Sequence, residues 1–247
     1  MLVHQLRAEQ KLFWRSRELA FFTFLLPIIF FLILGSAYGD EELDGASGYL
    51  YLLAGMIGYG AAATTFAGLA LLLVLRREAG LLKRLRATPL PGWVYIAAVV
   101  GSIVFIFFLE SVSLVTLGRL AFDVAVPENV VSLVVALALG AAAFAAMGIA
   151  LTTVIRSAEG SSAVVNAIYL PISFISGAFF SADSFPRFLQ VVAEVLPLVH
   201  FIRLVRDVMI HGDHVWEHPG AVAMVVLWGA AGTVVALRGF RWEPRER

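Results

Sequence analysis

Long apolar stretches separated by short polar segments recur along the whole chain. Six of them are long enough to cross the hydrocarbon core of a bilayer, which is about 30 Å thick and takes about 20 helical residues to span. They cover residues 19–37, 49–75, 92–118, 130–155, 162–180 and 221–237. They lack the alternation of barrel strands, and lipid cannot hydrogen-bond to an open strand edge. The pattern therefore predicts an all-α polytopic membrane protein with six transmembrane helices.

Residues 1–18, before the first apolar stretch, have a pattern of their own. On a helical projection, a polar and an apolar face separate: His4, Arg7, Lys11, Arg15 and Glu18 against Leu2, Val3, Leu6, Phe13 and Trp14. Such a helix suits the membrane surface, so we expect an N-terminal amphipathic interface helix. Glu9, Gln10 and Arg17 interrupt the pattern, and a solvated basic leader that only sets the topology is the alternative.

The connection between the second and third stretches, residues 76–91, reads RREAGLLKRLRATPLP. Its charges and its leucines, Leu81, Leu82 and Leu85, are spaced for a short amphipathic helix, which the following threonine and prolines would end. An exposed helix with an apolar stripe and both signs of charge suits the groove of a soluble partner. An ordinary basic loop is the alternative.

The segment between the fifth and sixth stretches, residues 181–218, is too apolar for a free loop. Its charged residues include Arg187, Glu194, Arg203, Arg206 and Asp207. A full crossing would cost roughly 2.5 to 3.5 kcal/mol for each charge at mid-membrane. Pro186 and Pro197 supply breaks, so we expect re-entrant helices whose backbone is buried against protein.

The distribution of Lys and Arg predicts the topology. Fourteen of these bases lie in the N-terminal segment, the 76–91 connection, the connection between the fourth and fifth stretches and the C-terminal tail, and four lie on the opposite side. All charged residues of the first connection are acidic: Asp40, Glu41, Glu42 and Asp44. This asymmetry predicts that both termini are cytoplasmic. Cleavage of the first stretch as a signal peptide would leave five spans and divide the basic segments between the two sides, which disfavours it.

Composition agrees with a membrane protein and excludes several classes of function. Hydrophobic residues make up 60% of the 247-residue chain and charged residues 15%, against roughly half and a quarter in soluble domains. The chain has no cysteine, which excludes disulfides, thiolate metal sites and cysteine nucleophiles. The net charge is zero, so nothing indicates a nucleic-acid partner.

Two sets of residues resemble the type-two ATP-binding-cassette export permeases, the transmembrane subunits of bacterial drug, lipid and polysaccharide exporters. The first set is similar to the cytoplasmic loop of that family: Glu78, Gly80, Leu81, Leu82, Lys83, Arg84, Leu85, Thr88 and Pro89. The second resembles its pattern before the last span: Pro171, Ser176, Gly177, Ala178, Phe179, Phe180, Pro186, Pro197, Leu198 and Arg206. Leu81 is a departure, because the family often has threonine there.

The resemblance implies one permease domain over residues 1–247 that pairs with a second copy or a homologous permease in the bacterial plasma membrane. It also implies a small hydrophobic or amphipathic substrate and a separate ATPase subunit that binds ATP and Mg²⁺, with no cofactor in this chain. The sequence adds independent support, because a phosphate-binding Walker loop needs Gly-Lys-Ser/Thr and neither Lys11 nor Lys83 follows a glycine. We therefore expect a transport subunit and not an enzyme.

The same resemblance suggests which residues contact the ATPase. The polar contacts are assigned to Glu78, Lys83, Arg84 and Arg86, the apolar contact to Leu81, Leu82 and Leu85, and Gly80 belongs to the same loop. The re-entrant segment is assigned to Ser176, Gly177, Pro186, Pro197 and Arg206.

Glu110 and Asn166 are candidates for the translocation pathway, because polar residues inside a membrane are costly. Glu110 either lies near the outer face beside Arg119 and is structural, which we favour, or faces a central cavity and meets substrate. A residue such as Asn166 more often forms a hydrogen bond between helices than lines a pathway. A stand-alone secondary transporter or channel that uses Glu110 is the alternative function.

Histidines and acids cluster before the last apolar stretch, at His211, Asp213, His214, Glu217 and His218. Their spacing follows no metal motif, and Gly212 and Pro219 interrupt any helix that would align them, so we expect a polar turn and no metal. A membrane-embedded enzyme is disfavoured too, because we find no catalytic constellation elsewhere.

Overall fold

The computed structural model describes residues 1–39, 41–43, 46–125, 127–180 and 185–244. Apart from two two-residue antiparallel strands, β1 (Glu42–Leu43) and β2 (Ala46–Ser47), the regular structure in these ranges is helical. The helices are α1 Leu2–Arg15, α2 Arg17–Tyr38, α3 Gly48–Gly60, a π-helical segment Ala61–Gly68, α4 Leu69–Glu78, α5 Leu81–Arg86, α6 Gly92–Phe122, α7 Val130–Leu151, α8 Ala158–Ile175, α9 Arg187–Val195, α10 Pro197–Ile210, a 3₁₀ turn Val215–Glu217 and α11 Pro219–Gly239. The predicted acidic connection, re-entrant segment and basic C-terminal tail include residues that lie outside the described ranges: Asp40, Asp44, residues 181–184, Arg245 and Arg247.

Five of the described helices are long and apolar enough to cross a membrane. They are Arg17–Ala37, the continuous Gly48–Glu78, Gly92–Phe122, Val130–Leu151 and Pro219–Gly239. The pair α9 and α10, bent by 85°, counts as a sixth if it is taken as one broken span. The predicted fifth span forms as α8, which has 18 residues and is not among the five, because Glu159 and a run of small polar residues dilute its apolar part.

The second span is the most buried of the five and contains an irregular segment. All residues from 51 to 62 are buried in the interior, and the π-helical turns of Ala61–Gly68 join α3 to α4 without a break. π-helical segments widen a helix locally and often occur at functional sites. Here the segment directs Thr64 toward α6, where its hydroxyl reaches a carboxylate.

Close helix packing positions the last span. Gly229 and Gly232 of α11 lie against the backbone of α7, where an added Cβ would lie 2.9 Å from the Cβ of Ala143 and 2.9 Å from the amide nitrogen of Met147. Small residues at such contacts let helices approach closely where no hydrophobic effect separates protein from lipid. We expect larger residues at these two glycines to push α11 away from α7.

The basic segments gather at one end of the molecule. α1 packs along the first half of α6, α5 packs beneath α4, and Trp242 of the C-terminal segment packs on Tyr95 with ring centroids 6.2 Å apart. At the opposite end, Tyr49 stacks on Phe122 with centroids 4.5 Å apart. The grouping of both chain ends with the 76–91 connection agrees with an even number of crossings.

Candidate functional site

The 76–91 connection folds into a short helix, α5. Gly80, in the left-handed region at φ 70°, turns the chain at the end of α4, and Leu81–Arg86 form the helix. Positive φ suits glycine because it has no Cβ. Thr88 donates a hydrogen bond from its hydroxyl to the carbonyl of Leu85 at 2.7 Å and closes the helix. The predicted helix is therefore present in this connection.

The three leucines of α5 have different environments. Leu82 is fully buried, in an apolar cluster with Leu69, Leu73 and Tyr95, while Leu81 is 41% exposed. Leu85 packs at the edge of the same cluster. The prediction that all three leucines contact a partner is wrong for Leu82, because its side chain is used inside this chain.

The bases of α5 point away from the protein. Lys83, Arg84 and Arg86 are exposed, and none of them makes an ion pair with a residue that the structure describes. Together with Leu81 they form a basic surface with an apolar centre, which we call the α5 surface. Such a surface can contact an acidic groove through its charges and bury one leucine there.

Glu78 is not part of the α5 surface in the way the sequence suggested. Its Oε1 accepts a hydrogen bond from Nε of Arg77 at 2.8 Å, and its side chain is only 17% exposed. Arg77 is 1% exposed and donates its other two nitrogens to the carbonyls of Thr152 and Ile155, at 2.9 and 2.8 Å. Since α7 ends at Leu151 with Thr152 as its C-cap, Arg77 binds the C-cap and the turn that follows α7, and Glu78 pairs with the charge of Arg77.

The neighbouring Arg76 ties α1 to the same place. Its Nη2 contacts Oε2 of Glu9 at 2.7 Å, and its Nη1 donates to the hydroxyl of Tyr95 at 2.7 Å. Gln10 donates to both the carbonyl and the hydroxyl oxygen of Ser102, at 3.0 and 2.9 Å. α1 is therefore fixed to α4 and α6 by polar contacts.

These contacts give Glu9 a role that the sequence interpretation of residues 1–18 did not include, and the location of α1 at the membrane interface stays a prediction. Glu9 is the only residue classed as buried within α1, while Leu2, Val3 and Trp14 of the predicted apolar face are exposed. Sequence reasoning took Glu9 as an interruption because its partner Arg76 lies 67 residues away. A projection of one helix cannot show a partner on another helix. The position of Glu9 outside the polar face did indicate that its side chain has a contact elsewhere.

Glu110 lies in α6 and is 2% exposed. Its Oε2 accepts a hydrogen bond from the hydroxyl of Thr64 at 2.8 Å, and its Oε1 has no hydrogen-bond partner among the described residues. Arg119 pairs instead with Asp123, at 2.8 Å on the exposed end of the helix. The expected placement of Glu110 beside Arg119 is therefore wrong, whereas its structural role stays a prediction.

Glu110 contributes to the wall of an open cavity of about 260 Å³ between α1, α2, the π-helical segment, α6 and α8. Most of its lining is apolar, and four aromatic residues contribute: Phe13, Phe22, Tyr59 and Tyr169. Asn166 is not part of this lining; its amide donates to the hydroxyl of Ser162 one turn earlier in α8, at 3.3 Å. The structure thus separates the two pathway candidates.

The segment before the last span bends at its prolines. Pro186 precedes α9 and Pro197 opens α10, where the helix axes turn by 85°. Arg203 in α10 reaches back to Glu194 at the end of α9 in an ion pair with two contacts. The helices therefore break at the predicted prolines, with α9 and α10 nearly perpendicular, and a re-entrant course stays a prediction.

The remaining re-entrant candidates meet around Tyr51 of α3. Arg206 places its guanidinium carbon 3.5 Å from the centroid of the Tyr51 ring and donates to the carbonyl of Gly177 at 2.9 Å. Gly177 has a φ of 77°, and the hydroxyl of Ser176 donates to the carbonyl of Ile172 in the last turn of α8. The contact between the Arg206 guanidinium and the face of the Tyr51 ring fixes α10 to the second span.

The histidine cluster at this end forms pairs. His218 lies between Asp207 and Asp213, with Nδ1 3.2 Å from one carboxylate and Nε2 3.0 Å from the other. His214 stacks on Trp216 with centroids 4.3 Å apart. Within the described ranges, no three histidine or acidic side chains are arranged to hold a metal ion.

The chain is similar to one family model and to several proteins of related description. The ABC-2 type transporter family model matches residues 3–210. The inner membrane transport permease YhhJ of Escherichia coli is 24% identical over 170 residues, covering 67% of this chain and 45% of that protein. The putative transport permease YvfS of Bacillus subtilis is 23% identical over 220 residues, covering 88% and 89%. Nodulation protein J of Rhizobium meliloti is 30% identical over 205 residues, covering 79% and 76%.

The coverage is uneven, because this chain spans about half the length of YhhJ but most of the length of YvfS. The matched region includes α5, Glu110 and the whole of α10. Helices of membrane-spanning length, a match over most of the chain and relatives named as transport permeases all agree. The chain belongs to the ABC-2 type transporter family.

Proposed function

We propose that this chain is the transmembrane subunit of an ATP-driven exporter in the bacterial plasma membrane. Permeases of this family work with an ATPase partner, and the chain has no Gly-Lys-Ser/Thr sequence for a Walker loop. ATP and Mg²⁺ are bound by the separate ATPase. A second copy of the chain, or a homologous permease, completes the pathway for a small hydrophobic or amphipathic substrate.

The α5 surface is the contact with the ATPase. The observation that carries this assignment is the division within α5: Leu82 is fully buried in this chain, while Leu81, at 41% exposure, lies outside it with three exposed bases. A helix anchored by one leucine can transmit force, and its free side can recognise a partner. Both termini and α5 lie on the cytoplasmic side in this proposal, which follows from the asymmetry of the bases.

Arg76 and Arg77 transmit movement from α5 into the membrane. Both lie in the last turns of α4, immediately before the turn at Gly80. Arg77 is hydrogen-bonded to the carboxyl end of α7 and Arg76 to α1 and α6. A displacement of α5 by the ATPase is therefore passed to several helices at once, through contacts that are short and buried.

The test begins with gentle purification of the tagged protein from its native membrane and identification of the ATPase that accompanies it. Arg84→Glu should reduce co-purification and ATP-dependent transport while leaving membrane insertion unchanged, because it reverses a charge on the α5 surface. Arg187→Glu is the matched control, since Arg187 is an exposed base at the start of α9. A chain that purifies alone and moves solute without ATP would contradict the proposal and support a stand-alone transporter or channel.

Glu78→Arg is a poor choice for this test. It would place a second guanidinium beside Arg77, which is 1% exposed and depends on Glu78 for charge balance. The expected result is damage to the end of α4, which would remove transport for reasons unrelated to the ATPase.

A further inference from the structure

A buried carboxyl group contributes to the lining of the open cavity, because Glu110 and its hydrogen-bond partner Thr64 are both lining residues. Glu110 is 2% exposed, and Thr64 satisfies only its Oε2. Oε1 has no hydrogen-bond partner among the described residues and lies against Gly60, where an added Cβ would be only 2.7 Å away. An intramembrane carboxyl group with an unsatisfied oxygen is a candidate for a functional site.

The lining of the cavity shows what that ligand is. Tyr59 is 3% exposed and its ring centroid lies 6.4 Å from that of Tyr169. With Phe22, these two rings line the same cavity as Glu110. Aromatic faces attract cations within about 6 Å of the ring centroid, and most strongly where water is excluded. No Lys or Arg contributes to the lining of this cavity, so the carboxylate has no counter-charge there.

We propose that this cavity binds a hydrophobic organic cation, with Glu110 as its counter-ion and Tyr59 and Tyr169 as its aromatic walls. The volume, about 260 Å³, fits a quaternary ammonium group that carries one aromatic ring. The cation completes the charge balance of Glu110, and its apolar part replaces lipid in the cavity. This assignment rests on the proposed function in one respect: it makes such cations the transported class.

The depth of Glu110 favours a free organic cation over the head group of a lipid. Glu110 lies eighteen residues after Gly92 and twelve before Phe122 in α6. At 1.5 Å per residue these distances are about 27 and about 18 Å along the helix. Lipid head groups stay at the membrane surface, whereas a small hydrophobic cation can enter the cavity from the side.

The binding test uses the purified full chain in neutral maltoside micelles, without the ATPase. Tritiated benzyltrimethylammonium is the probe, and neopentylbenzene, which has the same shape without the charge, is the competitor. Glu110→Gln should weaken binding of the cation about tenfold or more, because it removes the counter-charge and keeps the size of the side chain. Glu128→Gln, at an exposed acid between α6 and α7, should bind like the wild type.

A second variant tests the position of the site. Ala63 of the π-helical segment lines the cavity, so Ala63→Phe adds a ring there while keeping Glu110, and it should abolish binding of the cation. Melting curves of both variants identify any that fail to fold, and a folded variant of either kind is sufficient for the test.

Two results would overturn the proposal: equal affinity of Glu110→Gln and the wild type for the cation, or displacement by neopentylbenzene as effective as displacement by unlabelled cation. Because the ATPase is absent, this failure is distinct from failure of the proposed function. An exporter with an intact α5 surface would still co-purify with its ATPase if Glu110 bound nothing.

Discussion

Two groups of bases in one connection have opposite environments. Arg76 is 13% and Arg77 1% exposed, and both make short contacts with carboxylates, whereas Lys83, Arg84 and Arg86 are exposed. In the sequence all five are basic residues at the same end of a span. The structure assigns the first pair to holding helices together and the second group to a free surface. The distribution of bases along the chain therefore predicts the topology, whereas the burial of each base shows whether it contributes to helix packing.

The largest effect on this comparison should come from Arg77→Ala. Removing the guanidinium leaves the carbonyls of Thr152 and Ile155 and the carboxylate of Glu78 without their partner. Breaking a buried pair in this way costs about 3–5 kcal/mol. We expect a large fall in the free energy of unfolding, measured by titration with dodecyl sulfate in mixed micelles. An unchanged unfolding midpoint would mean that the two arginines are as dispensable as the exposed bases.

The next effect separates the two adjacent leucines of α5. Leu82→Ala should lower the free energy of unfolding by about 2–5 kcal/mol, because Leu82 is fully buried and its truncation leaves a cavity. Leu81→Ala should change it by less than about 0.5 kcal/mol and should weaken binding of the ATPase. The same titration and a pull-down with the ATPase distinguish the two variants; equal losses of stability would show that α5 does not have one anchored side and one free side.

A smaller effect is expected for the contact between α1 and α4. Glu9→Gln and Arg76→Gln should each lower the free energy of unfolding by about 1–3 kcal/mol, since each leaves a buried charge without its partner. The double variant should lose less than the sum of the single losses. Additive losses in this double-mutant cycle would argue against a direct interaction across the 2.7 Å contact.

The smallest effect on stability should follow from changing Lys83, Arg84 and Arg86 together to Gln. Exposed charges contribute little to stability, so the unfolding midpoint should stay within about 0.5 kcal/mol of the wild type. Affinity for the ATPase should fall, and its dependence on salt concentration should weaken, because screened charge pairs are lost. Retained salt dependence would place the electrostatic contact elsewhere.

Much of the fold follows from the sequence. The apolar stretches predict the five long spans because a helix that crosses lipid needs a fixed length, and the prolines predict the bends because they remove a backbone donor. Pro197 at the first position of α10 illustrates the second case. The fifth predicted stretch, residues 162–180, folds as α8, which is not among the five long spans because small polar residues lower its hydropathy.

The candidate site was less predictable. In a helix of six residues such as α5, periodicity is too short to decide whether Leu81 or Leu82 faces inward. The pairing of Glu9 with Arg76 joins segments 67 residues apart. The π-helical turns that direct Thr64 to Glu110 cannot be recognised from the pattern of hydrophobic residues. These features depend on tertiary contacts, which one sequence does not display.

The anchoring of α5 by Leu82 has a consequence for how such permeases diversify. Because the buried leucine holds the helix in place, substitutions on its outward side would change the proposed recognition of the ATPase at little cost in stability. A cell that contains several related permeases must prevent each from capturing another's ATPase, and this requires repulsion of wrong partners as well as attraction of the right one. The side chains at three exposed positions of one short helix can change the sign of their charge. Selection can therefore alter the partner that α5 recognises without changing the fold of the permease.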